Sequence, residues 1–234
     1  MLPGLGLSLW AAWRVRSTYA RWSQVDSGIS MSSLDFARYL LNSQGLTDVG
    51  IEPVAGQLTD HYDPRVKVLR VSSAVASATL GSQHGSPMGY PAERPHLSVA
   101  AVAVIAHEVG HAAQHRSGDP QMALRQLIVP VASIGSTLAP WLVIAGVIFK
   151  VLGLAVAGLA FFAAAVVFTF VTLPVEFGAS RRALAFVTPL GLSGERADGA
   201  RAVLRAAGWT YVAAALTALL TFLYHVSLVF GSRR

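Results

Sequence analysis

Residues 107–111 read His107-Glu108-Val109-Gly110-His111. On an α-helix, positions four apart share a face, so His107 and His111 can hold one ion between their imidazoles. Zinc suits such a pair because it accepts mixed nitrogen and oxygen donors in a tetrahedral site. Glu108 follows His107 by one residue, about 100° around the helix, where it can reach a metal-bound water without being a ligand. Zinc lowers the pKa of that water towards about 7, and a nearby carboxylate can take its proton. The chemistry open to this trio is attack of a hydroxide on a polarised peptide carbonyl. The context favours it: an apolar helical turn leads in, no proline interrupts, and small Gly110 and Ala112 leave room for a substrate or a second helix. The competing reading is two surface histidines on an amphipathic helix.

A third ligand is needed if one position is to stay open for water. The metzincin pattern would place His at 117 and Gly at 114, where this chain has Ser117 and Gln114, so that pattern fails. His115 continues the four-residue series, but it is two turns, roughly 12 Å, from His107. His61 sits in Leu58-Thr59-Asp60-His61-Tyr62-Asp63-Pro64, which reads first as a turn held by Asx hydrogen bonds. Contact with substrate or with the ligands is the other role for Asp60, His61 and also Arg181. His84 and His96 flank a Gly/Pro-rich loop. His225 lies in an apolar run, where a neutral imidazole bonded to a neighbouring helix is the expected state and function the alternative.

The elements that must position these residues are unevenly composed. Of 234 residues 53% are hydrophobic and 13% charged, and the mean hydropathy is +0.52. A soluble domain carries about 25% charged residues, so an ordinary soluble globule and a disordered chain are both excluded. Residues 126–149, 151–175 and 206–232 contain no Asp, Glu, Lys or Arg, and each exceeds the roughly 20 residues that span a bilayer. Only Phe149–Val151 separates the first two spans, which predicts a tight helical hairpin. The apolar, uncharged 1–13 is too short to span fully and reads as an anchor or partial span. A helix capped by Ser32 or Ser33 should run to about Ser43 with Leu34, Ala37 and Leu41 on one face and Gly45 at its stop. Val66, Val68, Leu69 and Val71 predict a strand, either internal or offering an edge to an extended substrate. Residues 81–95 read as a loop, and a helix should begin near Ser98 and carry the motif. There is no cysteine, which rules out disulfides, iron–sulfur clusters, thiol nucleophiles and Cys-ligated zinc. The net charge of +6 and pI of 10.2 fit positive-inside topology and anionic lipid. No dense Lys/Arg block with aromatic platforms supports nucleic-acid binding.

Ala106-His107-Glu108-Val109-Gly110-His111-Ala112-Ala113-Gln114-His115, with the 58–64 segment before it and Leu173-Pro174-Val175-Glu176-Phe177-Gly178-Ala179-Ser180-Arg181-Arg182-Ala183-Leu184 after it, resembles the YugP-like family of membrane zinc metallopeptidases. The resemblance extends over nearly the whole chain, including Val15–Val25, the Lys67–Ser72 strand and Leu127–Pro140. It implies a gluzincin-like site: two His ligands from the motif and a Glu ligand further on. This chain departs at Gly178, where the family stretch carries Asp; if that Asp orients a ligand, the ligands are supported differently here. Topology independently favours Glu176, the first acidic residue after the hairpin returns to the face it left, with Pro174 expected to mark a change of helix. Glu195 and Asp198 remain later, more solvated candidates, and Glu176 could instead be a helix-end charge paired with Arg181 or Arg182.

The expected fold is therefore a mainly α integral membrane protein: three long transmembrane helices, a short N-terminal apolar segment and a small α+β zincin-like metallopeptidase domain. Its expected organisation is 1–13 anchor, 14–125 peptidase domain, 126–175 hairpin, 176–208 polar segment with the third ligand, and 209–230 C-terminal span. The expected site is His107, His111 and Glu176 on one Zn2+ per chain with Glu108 as general base, acting on a protein or peptide at the bilayer. Two other readings compete. An intramembrane protease of the site-2 type needs an Asp in a later apolar helix, and Ala197-Asp198-Gly199 is only a weak match. A scaffold stapled by zinc needs a closed four-ligand site. Ten Lys/Arg in 14–125 and five in 174–205, against Lys150 at the hairpin tip, predict that the site faces the cytoplasm.

Overall fold

The computed structural model describes residues 2–77, 79–80 and 96–231; the loop expected at 81–95 with His84, and the terminal Arg233 and Arg234, lie outside them. In chain order the elements are α1 (Leu2–Trp22), α2 (Ser33–Ser43), β1 (Gly50–Val54), β2 (His61–Asp63), β3 (Val68–Ser72), α3 (Ser73–Ala76), β4 (Thr79–Leu80), β5 (His96–Leu97), α4 (Val99–Arg116), α5 (Pro120–Ile148), α6 (Leu152–Val187) and α7 (Gly194–Gly231). They form two compact units: a polar one of Arg14–Asp119 with Phe177–Ala207, and an apolar one of Met1–Trp13, Pro120–Glu176 and Gly208–Arg234.

The polar unit is built around α4. Ser98 caps it, its hydroxyl accepting from the Ala101 amide at 3.1 Å, a contact worth about 1 kcal/mol. The extended chain at 25–29 pairs with 97–99 through backbone bonds of 2.8–3.0 Å and so aligns the helix start. Val99 to Ala103, Ile105, Ala106, Val109 and Ala112 are all buried, as befits a helix apolar on every side. On α2 the buried stripe is Phe36, Ala37, Leu40 and Leu41. Leu34, expected on that face, is 40% exposed, because the true stripe follows i, i+1, i+4, i+5 from Phe36. Ser32 caps α2 and Gly45, at φ 70°, ends it.

The sheet order is β1-β3-β2, with β1 parallel and β2 antiparallel to β3. Leu69 pairs with Ile51 on one side and Tyr62 on the other. The strand expected from the Val-rich run is thus central, with both edges occupied, and it offers no edge to a substrate. Val66 falls before it and is exposed. Asp63 joins β2 to β3 through Arg70, 3.1 Å away. The Arg65 amide and this guanidinium hold the Asp63 carboxyl below its ordinary value.

The second half of α6 crosses α4 at glycine. A Cβ on Gly110 would sit 2.7 Å from the carbonyl oxygen of Ala179, so only glycine permits this approach. Pro174 was expected to mark a change of helix; instead it lies inside α6, which runs unbroken to Val187. Proline removes one backbone bond, and helices in apolar surroundings tolerate this when neighbours satisfy the freed group.

In the apolar unit, α5 and α6 are joined by a turn at Phe149–Val151 with Lys150 at φ 57°. A Cβ on Gly135 would meet the Phe161 carbonyl oxygen at 2.7 Å, the small-residue contact by which membrane helices pack. The start of α1 lies on α7: Thr217 donates to the Gly4 carbonyl at 3.1 Å, and Trp10 meets Trp209 edge-on. Among the described residues, α5, α6 and α7 are long and apolar enough to cross a membrane. Leu127, Val131, Ile134 and Trp141 of α5 point outward, where lipid replaces water as the solvent.

Candidate metal centre

The crossing of α4 and α6 decides what meets what. Next to the Gly110–Ala179 contact, Ser180 Oγ lies 3.3 Å from His107 Nδ1. On the other side, Gln114 Nε2 occupies the space that a Cβ on Gly178 would take, 2.7 Å from where that carbon would sit. Glu176 is three residues before Ala179 on the same uninterrupted helix and so shares its face. One donor atom from each of His107, His111 and Glu176 lies within 4.8 Å of the others.

The donor set fits zinc: two imidazole nitrogens and one carboxylate oxygen, with a fourth position left for water or substrate. Glu176 is only 2% exposed, and a buried carboxylate is costly without a compensating charge. Arg125 on α5 pairs with it at 3.9 Å, and a divalent ion in the cluster would add a second compensating charge. Arg182, an expected alternative partner, pairs with Asp119 at 3.5 Å. Glu108 is 9% exposed, and its Oε2 accepts from the Tyr62 amide of β2 at 2.9 Å. The antiparallel edge of the sheet thereby orients the carboxylate beside the two histidines.

Tyr62 carries a second contact. Its hydroxyl lies 2.9 Å from His115 Nδ1. Burial first, and the charges of Asp48 and Asp63 next, push the phenol up to about 12, so it stays protonated. His115 is thus tied to β2 and takes no place in the metal cluster. Asp60 accepts from the Ser72 amide at 2.7 Å, and His61 is exposed with Nδ1 donating to the Thr59 carbonyl at 2.8 Å. Both serve the sheet. Arg181 is exposed on α6. Asp198 pairs with Arg201 and, like Glu195, is exposed on α7. His96 sits 3.4 Å from Asp26. His225 is buried, and its Nδ1 donates to the Thr221 carbonyl of its own helix at 2.7 Å, not to a neighbouring helix.

Sequence reasoning passed over Gln114, Ser180, Arg125 and the Tyr62 amide. Gln114 had a signal, three residues after His111, and Ser180 had one, four after Glu176. The Tyr62 amide had none, because a main-chain donor leaves no trace in residue type.

A family model described as "Putative neutral zinc metallopeptidase" matches residues 1–81 and 92–230. A relative from Bacillus subtilis (strain 168), named "Putative membrane protease YugP", is 38% identical over 233 residues, covering 99% of this chain and 96% of the relative. No solved structure matches the chain. With a match extending through all three long apolar helices and through the cluster of His107, His111 and Glu176 that could hold a metal ion, the chain belongs to this neutral zinc metallopeptidase family.

Proposed function

We propose that this protein is a membrane-anchored, zinc-dependent endopeptidase that hydrolyses protein or peptide substrates at the bilayer surface, with one zinc per chain. The observation that carries the reading is the convergence of His107, His111 and Glu176 with Glu108 buried beside them. Zinc, when bound, supplies a Lewis acid that polarises the scissile carbonyl and acidifies water. Glu108 then accepts the proton of the attacking water and returns it to the departing amine nitrogen. Its orientation comes from the Tyr62 amide.

Two features weigh against the competing readings. The helix carrying the motif has 18 residues and is packed by α2, α3, β2 and β3, unlike a lipid-facing span of the site-2 type. Three protein donors, not four, form the cluster among the described residues, which favours an open position over a closed staple.

Metal content of the detergent-purified protein and cleavage by wild type and Glu108→Gln test the reading. The variant should keep its zinc and lose about 100-fold to 10,000-fold in rate. Near-normal cleavage of a verified substrate by the variant would favour the scaffold.

A further inference from the structure

We propose that Gln114 is the positioning residue for His111 and that glycine at 178 is required to leave room for its amide. This rests on the reading of His107, His111 and Glu176 as metal ligands. Gln114 follows His111 by three residues on α4 and is fully buried. Its Oε1 lies 3.0 Å from His111 Nδ1. An amide oxygen can only accept, so the proton of the neutral imidazole resides on Nδ1 and the lone pair on Nε2 faces the metal.

The far end of the same amide is confined by α6. A Cβ on residue 178 would stand 2.7 Å from Gln114 Nε2, closer than real Cβ contacts allow. An exposed glutamine would swing aside, but this one is enclosed, and moving Nε2 draws Oε1 off His111. His107 is held in a parallel way, by Ser180 Oγ at 3.3 Å from its Nδ1. Both imidazoles are thus aimed by uncharged side chains, and residue 178 acts on the metal through Gln114 without touching it.

The test uses full-length protein in detergent, with zinc affinity read by chelator competition and thermal midpoints measured without metal. Gly178→Ala and Gln114→Leu should each weaken zinc by about 10-fold to 100-fold, as loss of a ligand's supporting hydrogen bond does. The double variant should bind no more weakly than Gln114→Leu, because both changes remove one bond. Gln114→Glu, an acceptor of the same length, should restore affinity to within a few-fold. The visible absorption of the cobalt-loaded protein should change in Gln114→Leu and return in Gln114→Glu. Unchanged affinity in either single variant, or additive losses in the double, overturns the proposal. If Gly178→Ala fails to fold, the Leu and Glu variants at 114 still decide. Absence of zinc binding by the wild type would instead remove the ligand assignment itself.

Discussion

Glu176 has almost no water around it, and two imidazoles and the Arg125 guanidinium are among its neighbours. Glu195 and Asp198 are exposed on α7, with no cost of burial for an ion to offset. Glu176→Ala should therefore weaken zinc binding at least about tenfold, as loss of a site-orienting group does or more, while Glu195→Ala and Asp198→Ala keep it; equilibrium dialysis would show the contrast. Asp63 permits a different test. Its carboxyl is held below the ordinary value by the Arg65 amide and Arg70, so the folded state prefers the ionised form. That preference stabilises the fold above the ordinary carboxylate range and is lost as pH falls through the lowered value. Asp63→Asn should melt earlier than wild type at pH 6, and the gap should close as the pH is taken below about 4.

The interlock of α4 and α6 is an element-scale device. Gly110 admits the Ala179 carbonyl, and the candidate ligands on the two helices meet because the backbones approach there. Gly110→Ala overpacks this contact, at a cost of about 1–3 kcal/mol, and pushes Glu176 away from the histidines. The melting midpoint should drop by about 3–10 °C and zinc binding should fall with it. Gly153→Ala, on the same α6 with nothing within 4 Å of its added carbon, should change neither. Equal effects in the two variants would refute the interlock. The sheet contributes at this scale too: β2 is an edge strand, and its Tyr62 amide is given to Glu108 rather than to another strand.

For the whole molecule, charge is distributed so that the hairpin tip holds Lys150 alone, while 14–125 and 174–205 hold fifteen of the eighteen Lys and Arg. We propose on the positive-inside tendency that the motif faces the cytoplasm. The chain has no cysteine, so single cysteines at Gln57 and Lys150 can be labelled without background. In intact cells an impermeant thiol reagent should reach Lys150→Cys and spare Gln57→Cys; the opposite pattern would reverse the orientation.

Much of this was legible in residue order because the forces concerned are local or compositional. Charge-free runs longer than a bilayer is thick specify α5, α6 and the later part of α7 without reference to any partner. Four-residue spacing puts His107 and His111 on one face, Ser32 and Ser98 cap their helices through their own hydroxyls, and the short tip forces a hairpin. Other features required tertiary structure, because they depend on which surfaces touch. Pro174 reads locally as a breaker, yet packing carries α6 through it. The Val-rich strand reads equally as internal or as an edge, and only the pairing of β1 and β2 on its two sides decides for internal. Gly178 reads as a missing side chain, and only the placement of Gln114 shows the gap to be filled. Glu176 divides between the two: the return of the hairpin singles it out in the sequence as the first acidic residue after the spans, but that its carboxylate comes within 4.8 Å of His107 and His111, 65 residues or more away in the chain, depends on the glycine on another helix that lets α6 come close.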